Sequence, residues 1–301
     1  MTPLISVVIP TYNHAHFLGQ ALQSVIDQTY QNWEIIVVDN HSSDCTDEVI
    51  KQFSSYKICL LKINNNGIIG ASRNLGIKAA KGDWIAFLDS DDIWYKEKLD
   101  RSISALQENP GIQVITTDEL LVNKISDEEQ VLHHGPYCSD FYKILLISGN
   151  RLSTSATLVK RSFIDETGIL FREKKEFVTA EDYDFWMQLA FANASFAFVR
   201  SVQGEYIIHT SNHSGQLKKH FASVESVLKD HVFFIQRFTK KRRQLWAFVQ
   251  ARFLLNSGIN LFQIGKYGPA CKIIFGVLIK QPLGAIAYLW YQLKIKLSSN
   301  Y

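Results

Sequence analysis

The sequence predicts an α/β protein, in which a mostly parallel β-sheet flanked by helices is followed by a helical C-terminal region. Two observations predict this class. Over roughly the first third of the chain, short and continuously apolar runs alternate with stretches whose apolar residues recur at helical spacing. Continuous apolar runs are typical of strands buried on both faces of a parallel sheet. From Gln216 onward the pattern is helical throughout.

Charge divides the chain at the same point. Residues 216–301 carry 14 Lys and Arg side chains against two acidic ones, a net charge of +12, whereas residues 1–215 carry 18 basic and 27 acidic groups, a net charge of −9. Two segments of opposite charge and different pattern indicate two functional regions. We therefore predict one domain over 1–215 and a basic helical region over 216–301.

Composition narrows the class of protein. A hydrophobic fraction of 47% with 20% charged residues is typical of a folded chain. The four cysteines are scattered without metal-ligand spacing, which favours a reducing compartment. The N-terminus has no signal-peptide pattern, and no run of about 18 apolar residues is present. We expect a cytoplasmic protein.

The first part of the chain predicts four strands joined by three helices. Right-handed crossovers between such elements give a doubly wound sheet. The predicted strands are Leu4–Ile9, Trp33–Val38, Ile58–Ile63 and Trp84–Leu88, and the predicted helices are Phe17–Ile26, Asp44–Phe53 with Asp44 as N-cap, and Ile68–Lys81.

Three carboxylates follow the fourth strand directly: Asp89, Asp91 and Asp92. Ligands of open α/β sheets bind at the carboxyl ends of the strands. Clustered carboxylates repel one another unless a cation lies among them, and oxygen ligands suit Mg²⁺ or Mn²⁺. The alternative is a solvated acidic turn that caps the next helix.

Polar clusters also end the first two strands, at Pro10–Asn13 and Asp39–Asp44. We expect these strand ends to converge on one edge of the sheet. The chain contains neither the Gly-x-Gly-x-x-Gly dinucleotide fingerprint nor a P-loop. A nucleotide could still bind through its base and ribose on the first two loops and through its phosphates by way of a metal.

Four motifs occur in order: Val7–Asn13, Val37–Asp44, Ala71–Gly76 and Phe87–Asp92. Together they resemble the nucleotide-binding half of the family 2 inverting glycosyltransferases, which have the GT-A fold. The resemblance covers roughly residues 4–215. It implies a GT-A-like domain whose Rossmann-like, nucleotide-binding half is 1–117 and whose acceptor half is 118–215.

The resemblance also implies site residues. Tyr12 would offer a ring face to the base, Asp39 would accept from the base edge, and Arg73 would lie near the base or the diphosphate. Asp91 would bind a Mn²⁺ or Mg²⁺ cofactor directly, and Asp89 would bind the ribose or the metal. The residues expected to bind the nucleotide-sugar are Pro10, Thr11, Tyr12, Asn13, Asp39, Asn40, Arg73, Asp89, Ser90 and Asp92.

The acceptor half begins with a predicted strand over Gln113–Thr117. Residues Asp118–Tyr137 are polar, and we interpret them as a surface loop rather than an acceptor-side insertion. A short run over Ser153–Val159 and a helix around Arg161–Thr167 follow.

Thr179 precedes a helix whose first turn holds Glu181 and Asp182. Helix capping explains such a pair, but it also resembles the family's Glu-Asp motif, in which Asp182 takes the position of the catalytic base and Glu181 assists. The helix dipole is expected to keep the pKa of Asp182 low. His209, at the end of a strand over Glu205–His209, is a candidate metal or phosphate ligand or a structural histidine.

The sequence thus predicts a divalent-metal-dependent enzyme that moves a sugar from a nucleotide donor, with UDP favoured, to a glycan or lipid-linked acceptor with inversion. Cell-surface polysaccharide synthesis is the expected setting. A sugar nucleotidyltransferase is one alternative. The other is a catalytically silent nucleotide-sugar-binding partner of a membrane assembly.

The basic region 216–301 interleaves aromatic residues with Lys and Arg. It is expected to lie on an anionic membrane surface, which would make the protein peripheral on the inner face of the cell membrane. A helical bundle or an oligomer interface is the alternative. No nucleic acid partner is expected.

Overall fold

A computed structural model describes residues 2–209, 217–263 and 265–298. The chain forms two compact units. The first comprises Met1–Ser139 and Arg151–Gln216, and the second comprises Asp140–Asn150 and Leu217–Tyr301. The short segment Asp140–Asn150 thus belongs with the basic region, although the assignment of functions to the two regions stays a prediction.

One sheet organises the first unit. Among the described residues it has nine strands in the order β3-β2-β1-β4-β8-β6-β9-β5, with β7 paired to β6. The strands are β1 (Ile5–Thr11), β2 (Trp33–Asp39), β3 (Ile58–Lys62), β4 (Trp84–Phe87), β5 (Ile93–Trp94), β6 (Val114–Asn123), β7 (Glu128–Leu132), β8 (Thr157–Lys160) and β9 (Phe196–Ile208). Strands β3, β2, β1 and β4 are parallel, β8 is antiparallel to β4 and β6, and β6 and β9 are parallel. The predicted fold class is confirmed, with a sheet that is parallel in its first half and mixed beyond it.

Helices cover the sheet and form the second unit. The described α-helices are α1 (Ala15–Ile26), α2 (Thr46–Gln52), α3 (Ile69–Ala79), α4 (Lys98–Glu108), α5 (Phe141–Ser148), α6 (Arg161–Thr167), α7 (Glu181–Phe191), α8 (Leu217–Asp230), α9 (Arg242–Gln263), α10 (Tyr267–Lys280) and α11 (Pro282–Ser298). The helical pattern expected from Gln216 onward is confirmed over the described residues, which form α8 to α11.

The central strands are apolar because both of their faces are covered. Every residue of β1 and β4 is buried, and β2 is buried apart from Glu34. Helix α3 approaches β1 so closely that a Cβ at Gly76 would lie 2.3 Å from Cγ1 of Val8. This close contact fixes α3, which carries Arg73, against β1.

Two sequence-based expectations are wrong in detail. Residues Asp118–Tyr137 are not a plain loop, because β6 continues to Asn123 and pairs with β7 as a hairpin. Asp44 is not the N-cap of α2, which is Cys45. Its carboxylate instead accepts from the backbone N–H groups of Thr46 and Ala15, so that it joins the starts of two helices.

In the second unit, α10 and α11 both pack on α9. The cluster between them is formed by Ala251, Leu255, Val277, Ala285 and Tyr288. Within the described residues, no single helix combines the length and apolarity needed to cross a bilayer. The pair Tyr267–Lys280 and Pro282–Leu293 meets that criterion jointly, with a bend of 107° between its helices.

Candidate active site

The loops after β1 and β2 are joined by hydrogen bonds. The Asn13 backbone N–H donates to Ser42 Oγ at 2.8 Å, and the Ser43 N–H donates to Asn13 Oδ1 at 2.8 Å. Asn13 has a positive φ of 52°, a conformation that asparagine tolerates better than most residues. Pro10 and Thr11 end β1 beside these bonds, and Tyr12 is 54% exposed. The predicted convergence of the two loops is confirmed.

Asp39 is fully buried at the end of β2, opposite Thr11 in the register of the sheet. Its carboxylate accepts from the backbone N–H and hydroxyl of Ser42 and from Lys62 Nζ at 2.7 Å. Asn40 Oδ1 accepts from the backbone N–H of Asn65 at 2.9 Å, which adds the loop after β3 to the same edge. In this arrangement Asp39 holds the loop after β2 in place. Its direct contact with a base stays a prediction.

The loop after β4 is organised around Ser155, which sequence reasoning missed. Its hydroxyl accepts from the Asp89 backbone N–H at 3.0 Å and donates to Asp92. Asp92 is almost fully buried and also accepts from the backbone N–H of Ile207 at 3.0 Å. Burial, together with the charges of Asp91 and Asp89, raises the pKa of Asp92 well above its usual range. Asp92 therefore ties the acidic loop to β9, and its direct contact with a donor stays a prediction.

Asp91 and His209 come together across 118 residues of sequence, with 2.9 Å between Asp91 Oδ2 and His209 Nε2. The His209 ring packs against Phe17, with 4.4 Å between ring centroids, and lies edge-on to His14. His14 Nδ1 lies 3.0 Å from Oγ of the buried Ser90. Residues Thr210–Ser214, the rest of the histidine and serine motif, lie outside the described residues.

The donor set at Asp91 fits a divalent cation shared with a substrate. In the described part of the chain, no group of three or more His, Cys, Asp or Glu side chains could hold a metal ion by itself. Mg²⁺ and related ions are commonly held by one or two protein ligands together with phosphate oxygens and water. The Asp91 carboxylate and the His209 imidazole, with Asp89 in the same loop, are donors of this kind.

Arg73 joins the acidic loop to helix α7. It is 3% exposed, and it donates from Nη1 to Glu181 Oε1 at 2.8 Å and from Nη2 to Asp89 Oδ1 at 2.7 Å. The guanidinium also lies over the Phe171 ring, 5.4 Å from its centroid. Glu181 Oε2 accepts from the Thr179 backbone N–H at 2.8 Å, so both oxygens of this carboxylate are engaged.

Asp182 lies beside this ion-pair network in the first turn of α7. Burial raises the pKa of Asp182 to about 7, and the charge of Glu181 adds to this effect while Arg73 opposes it. The expectation of a low pKa is therefore wrong, because desolvation and a neighbouring carboxylate outweigh the helix dipole. A carboxylate with this pKa is suited to accept a proton near neutral pH.

Tyr206 is a second residue that sequence reasoning did not select. Burial raises the pKa of its phenol, and the charges of Asp92, Asp89, Asp91 and Asp182 add to the effect. The phenol therefore lies within electrostatic reach of four carboxylates. The aromatic-x-x-His spacing of Tyr206 and His209 is the signal that would have selected it.

Carboxylates and a histidine at the carboxyl edge of a half-parallel, half-mixed sheet are typical of one class of protein, the GT-A-like transferases that use nucleotide-sugars. The family model described as "Glycosyl transferase family 2" matches residues 6–166, which is over half of the chain. The chain belongs to glycosyl transferase family 2.

Three comparisons illustrate the likeness. Over 186 residues the chain is 30% identical to the Escherichia coli UDP-Glc:alpha-D-GlcNAc-diphosphoundecaprenol beta-1,3-glucosyltransferase WfgD, covering 62% of this chain and 69% of that protein. The S. aureus TarS 1-349 structure in complex with UDP-GlcNAc has a TM-score of 0.65 at 21% identity, covering 91% and 79%. The mannosyltransferase PcManGT from Pyrobaculum calidifontis, in complex with GDP-Man and Mn2+, has a TM-score of 0.64 at 16% identity, covering 99% and 81%.

Proposed function

We propose that this glycosyltransferase moves a sugar from a UDP-sugar to a lipid-linked or glycan acceptor, with inversion and with a divalent cation. The observation that carries the proposal is the Arg73 bridge. Arg73 forms ion pairs with Asp89 and Glu181. Asp89 lies in the same loop as the candidate metal ligand Asp91, and Glu181 precedes the candidate base Asp182. One buried side chain thus joins the loop proposed to bind the donor to the helix turn proposed to present the base.

Each group has a role that its surroundings support. The exposed Tyr12 ring offers a stacking face to the base, beside loops held by Asn13 and Asp39. Asp91 and His209, assisted by Asp89, would hold Mn²⁺ or Mg²⁺. The cation would neutralise the charge that develops on the departing diphosphate.

Asp182 would act as the general base. Its pKa of about 7 leaves much of the carboxylate ionised at neutral pH while keeping it basic enough to accept the proton of the acceptor hydroxyl. The oxygen of that hydroxyl then attacks C1 of the sugar as the bond to the diphosphate breaks. Attack from the side opposite the diphosphate inverts the anomeric centre. Glu181, held by Arg73 and the Thr179 N–H, would fix the helix turn that presents Asp182.

Two of the comparisons support a uridine donor. WfgD is described as using UDP-Glc with a diphosphoundecaprenol-linked acceptor, and TarS is seen with UDP-GlcNAc. PcManGT, seen with GDP-Man and Mn2+, supports the use of a cation, but its bound donor has a nucleobase other than uracil. A lipid-linked acceptor, as in cell-surface polysaccharide synthesis, agrees with the strongly basic second unit and with a peripheral position on the inner face of the membrane.

A panel of nucleotide-sugars, with and without Mn²⁺, tests the proposal by thermal stabilisation and slow donor hydrolysis. We expect one UDP-sugar to stabilise the full chain only with the cation. Asp91→Ala should abolish this stabilisation, whereas Asp182→Ala should keep it and lose the slow donor hydrolysis. Asp27→Ala, on the first unit but outside the site, is the matched control. A chain that responds to no nucleotide-sugar in the presence of metal would contradict the proposal.

A further inference from the structure

Helices α10 and α11 expose an apolar surface, which we call the elbow face. It is formed by Phe275, Leu278 and Ile279 on α10 and by Leu283, Ile286 and Trp290 on α11. Ile279 is 78% exposed, Leu283 81% and Trp290 62%. Isolated exposed apolar residues are common on proteins, but Phe275, Leu278 and Ile279 recur at i, i+3 and i+4 along α10, and Leu283, Ile286 and Trp290 recur at i, i+3 and i+7 along α11. This spacing gives each helix an exposed apolar side, which indicates an interaction surface.

Both helices are apolar on two sides. On α10, Ala270 and Val277 are buried one heptad apart, while Phe275, Leu278 and Ile279 lie on the exposed side. On α11, Ala285 and Tyr288 pack toward α9 and leave the elbow face outward. A helix with one apolar side packed inside the protein and a second apolar side exposed can bury that second side against a partner or a membrane.

The positive charge of the surrounding sequence indicates what binds the elbow face. From residue 231 to the end of the chain the sequence contains no Asp or Glu, whereas it contains 11 Lys and Arg. Lys266, Lys272 and Lys280 lie exposed on or next to α10. A second copy of the same surface would bring these cations against one another, but an anionic bilayer offers hydrocarbon for the apolar face and opposite charge for its rim.

We propose that the elbow face inserts into the interfacial layer of an anionic lipid bilayer, with α10 and α11 lying in the plane of the membrane. This inference rests on the membrane association proposed above and names the surface responsible. The helices have 14 and 17 residues, and the chain bends by 107° between them. A spanning helix needs about 20 apolar residues in line, so the bend favours an in-plane orientation.

Co-sedimentation of the full chain with vesicles containing phosphatidylglycerol tests the proposal. The test variant is Ile279→Asp with Ile286→Asp. The matched control is Tyr56→Asp with Ile125→Asp, which changes two exposed apolar residues of the first unit. We expect the test variant to partition more than about tenfold more weakly and the control to partition like the parent chain.

The fluorescence of Trp290 measures how deeply the elbow face enters the bilayer. We expect lipids brominated in the acyl chain to quench the bound parent chain, and Trp290→Phe to remove most of the quenching. Part of the binding should persist in 0.5 M salt (about a 4 Å Debye length) because apolar insertion is not screened. The proposal would be overturned if the test variant bound vesicles as well as the parent chain does, or if salt alone abolished binding. It would also be overturned if the parent chain were a dimer and the test variant a monomer.

The donor response separates this inference from the proposed function. Stabilisation by a UDP-sugar and Mn²⁺ is measured on the same samples. Retained donor stabilisation without vesicle binding would overturn the membrane surface alone. Vesicle binding without any donor response would instead overturn the proposed transfer reaction and leave the elbow face standing.

Discussion

Arg73 and Glu181, which are 108 residues apart in the sequence, form a buried ion pair with 2.8 Å between Nη1 and Oε1. The second guanidinium nitrogen binds Asp89 at 2.7 Å. Although burial alone would lower it, these two carboxylates raise the pKa of Arg73 above its usual value, so the charge is permanent. A planar, bidentate group with a fixed charge is suited to hold two carboxylates at a set spacing, and lysine would not replace it.

Replacement of this arginine by methionine tests how much the bridge contributes to stability. Arg73→Met leaves two carboxylates without their buried partner, and we expect the free energy of unfolding to fall by roughly 3–5 kcal/mol in urea titration. The matched control is Arg101→Met, which removes an exposed ion pair with Glu97 and should cost no more than about 1 kcal/mol. Equal costs in the two variants would contradict a structural role for the bridge.

The pH dependence of transfer reports on the general base. If Asp182 accepts the proton, kcat/KM should rise with pH until about 7 and then level, because only the ionised carboxylate is active. Asp182→Asn should lower kcat by roughly 10²–10⁴-fold and give a flat profile over this range. A rising limb that survives in Asp182→Asn would assign the titration to another group.

The same raised pKa affects stability. Between pH 4 and 7 the folded chain binds a proton at Asp182 that the unfolded chain has released, so this group makes folding less favourable as pH rises. Asp182→Asn should therefore be more stable than the parent chain at pH 8 and show a smaller difference at pH 4. Thermal unfolding at the two pH values measures this, and an equal difference at both would refute it.

Lys98 gives an independent pH effect inside the fold. It is fully buried, with Nζ donating to Thr117 Oγ1 at 2.9 Å and to the Ala156 carbonyl at 3.2 Å, and burial lowers its pKa to about 8. Between pH 8 and 10 the unfolded chain binds more protons at this residue, so its contribution to stability increases with pH. Lys98→Met should remove this increase, as judged by urea unfolding, while Lys96→Met keeps it. An unchanged slope in Lys98→Met would contradict the assignment.

A methyl group at Gly76 tests the contact between α3 and β1. Its Cβ would lie 2.3 Å from Val8 Cγ1, so Gly76→Ala should destabilise the protein by roughly 1–3 kcal/mol. Val8→Ala in the same chain should restore part of the loss by making room. Gly276→Ala, where a Cβ meets nothing within 4 Å, should instead be neutral or stabilising by up to about 1 kcal/mol. A neutral Gly76→Ala would show that the helix can move away from the strand.

The sequence predicts the central strands because burial on both faces leaves a continuous apolar run. It does not predict β7, since Glu128–Leu132 is an exposed edge strand whose pattern carries little hydrophobic signal. The partners of Arg73 and the role of Ser155 depend on contacts between distant segments, which no local pattern encodes. The prediction of a low pKa for Asp182 was wrong for a related reason. The start of the helix can be recognised in the sequence, but the desolvation of Asp182 cannot.

The pairs that build the site join residues more than 100 positions apart, as in Asp91 with His209 and Arg73 with Glu181. Forming contacts of such long sequence separation costs loop-closure entropy, which slows folding. The site therefore needs segments from both ends of the first unit to be together, and we expect a chain in which they are apart to bind the nucleotide-sugar more weakly. By mass action, bound donor and cation should raise the free energy of unfolding of the protein. The increase should be largest in cells where the sugar nucleotide is abundant.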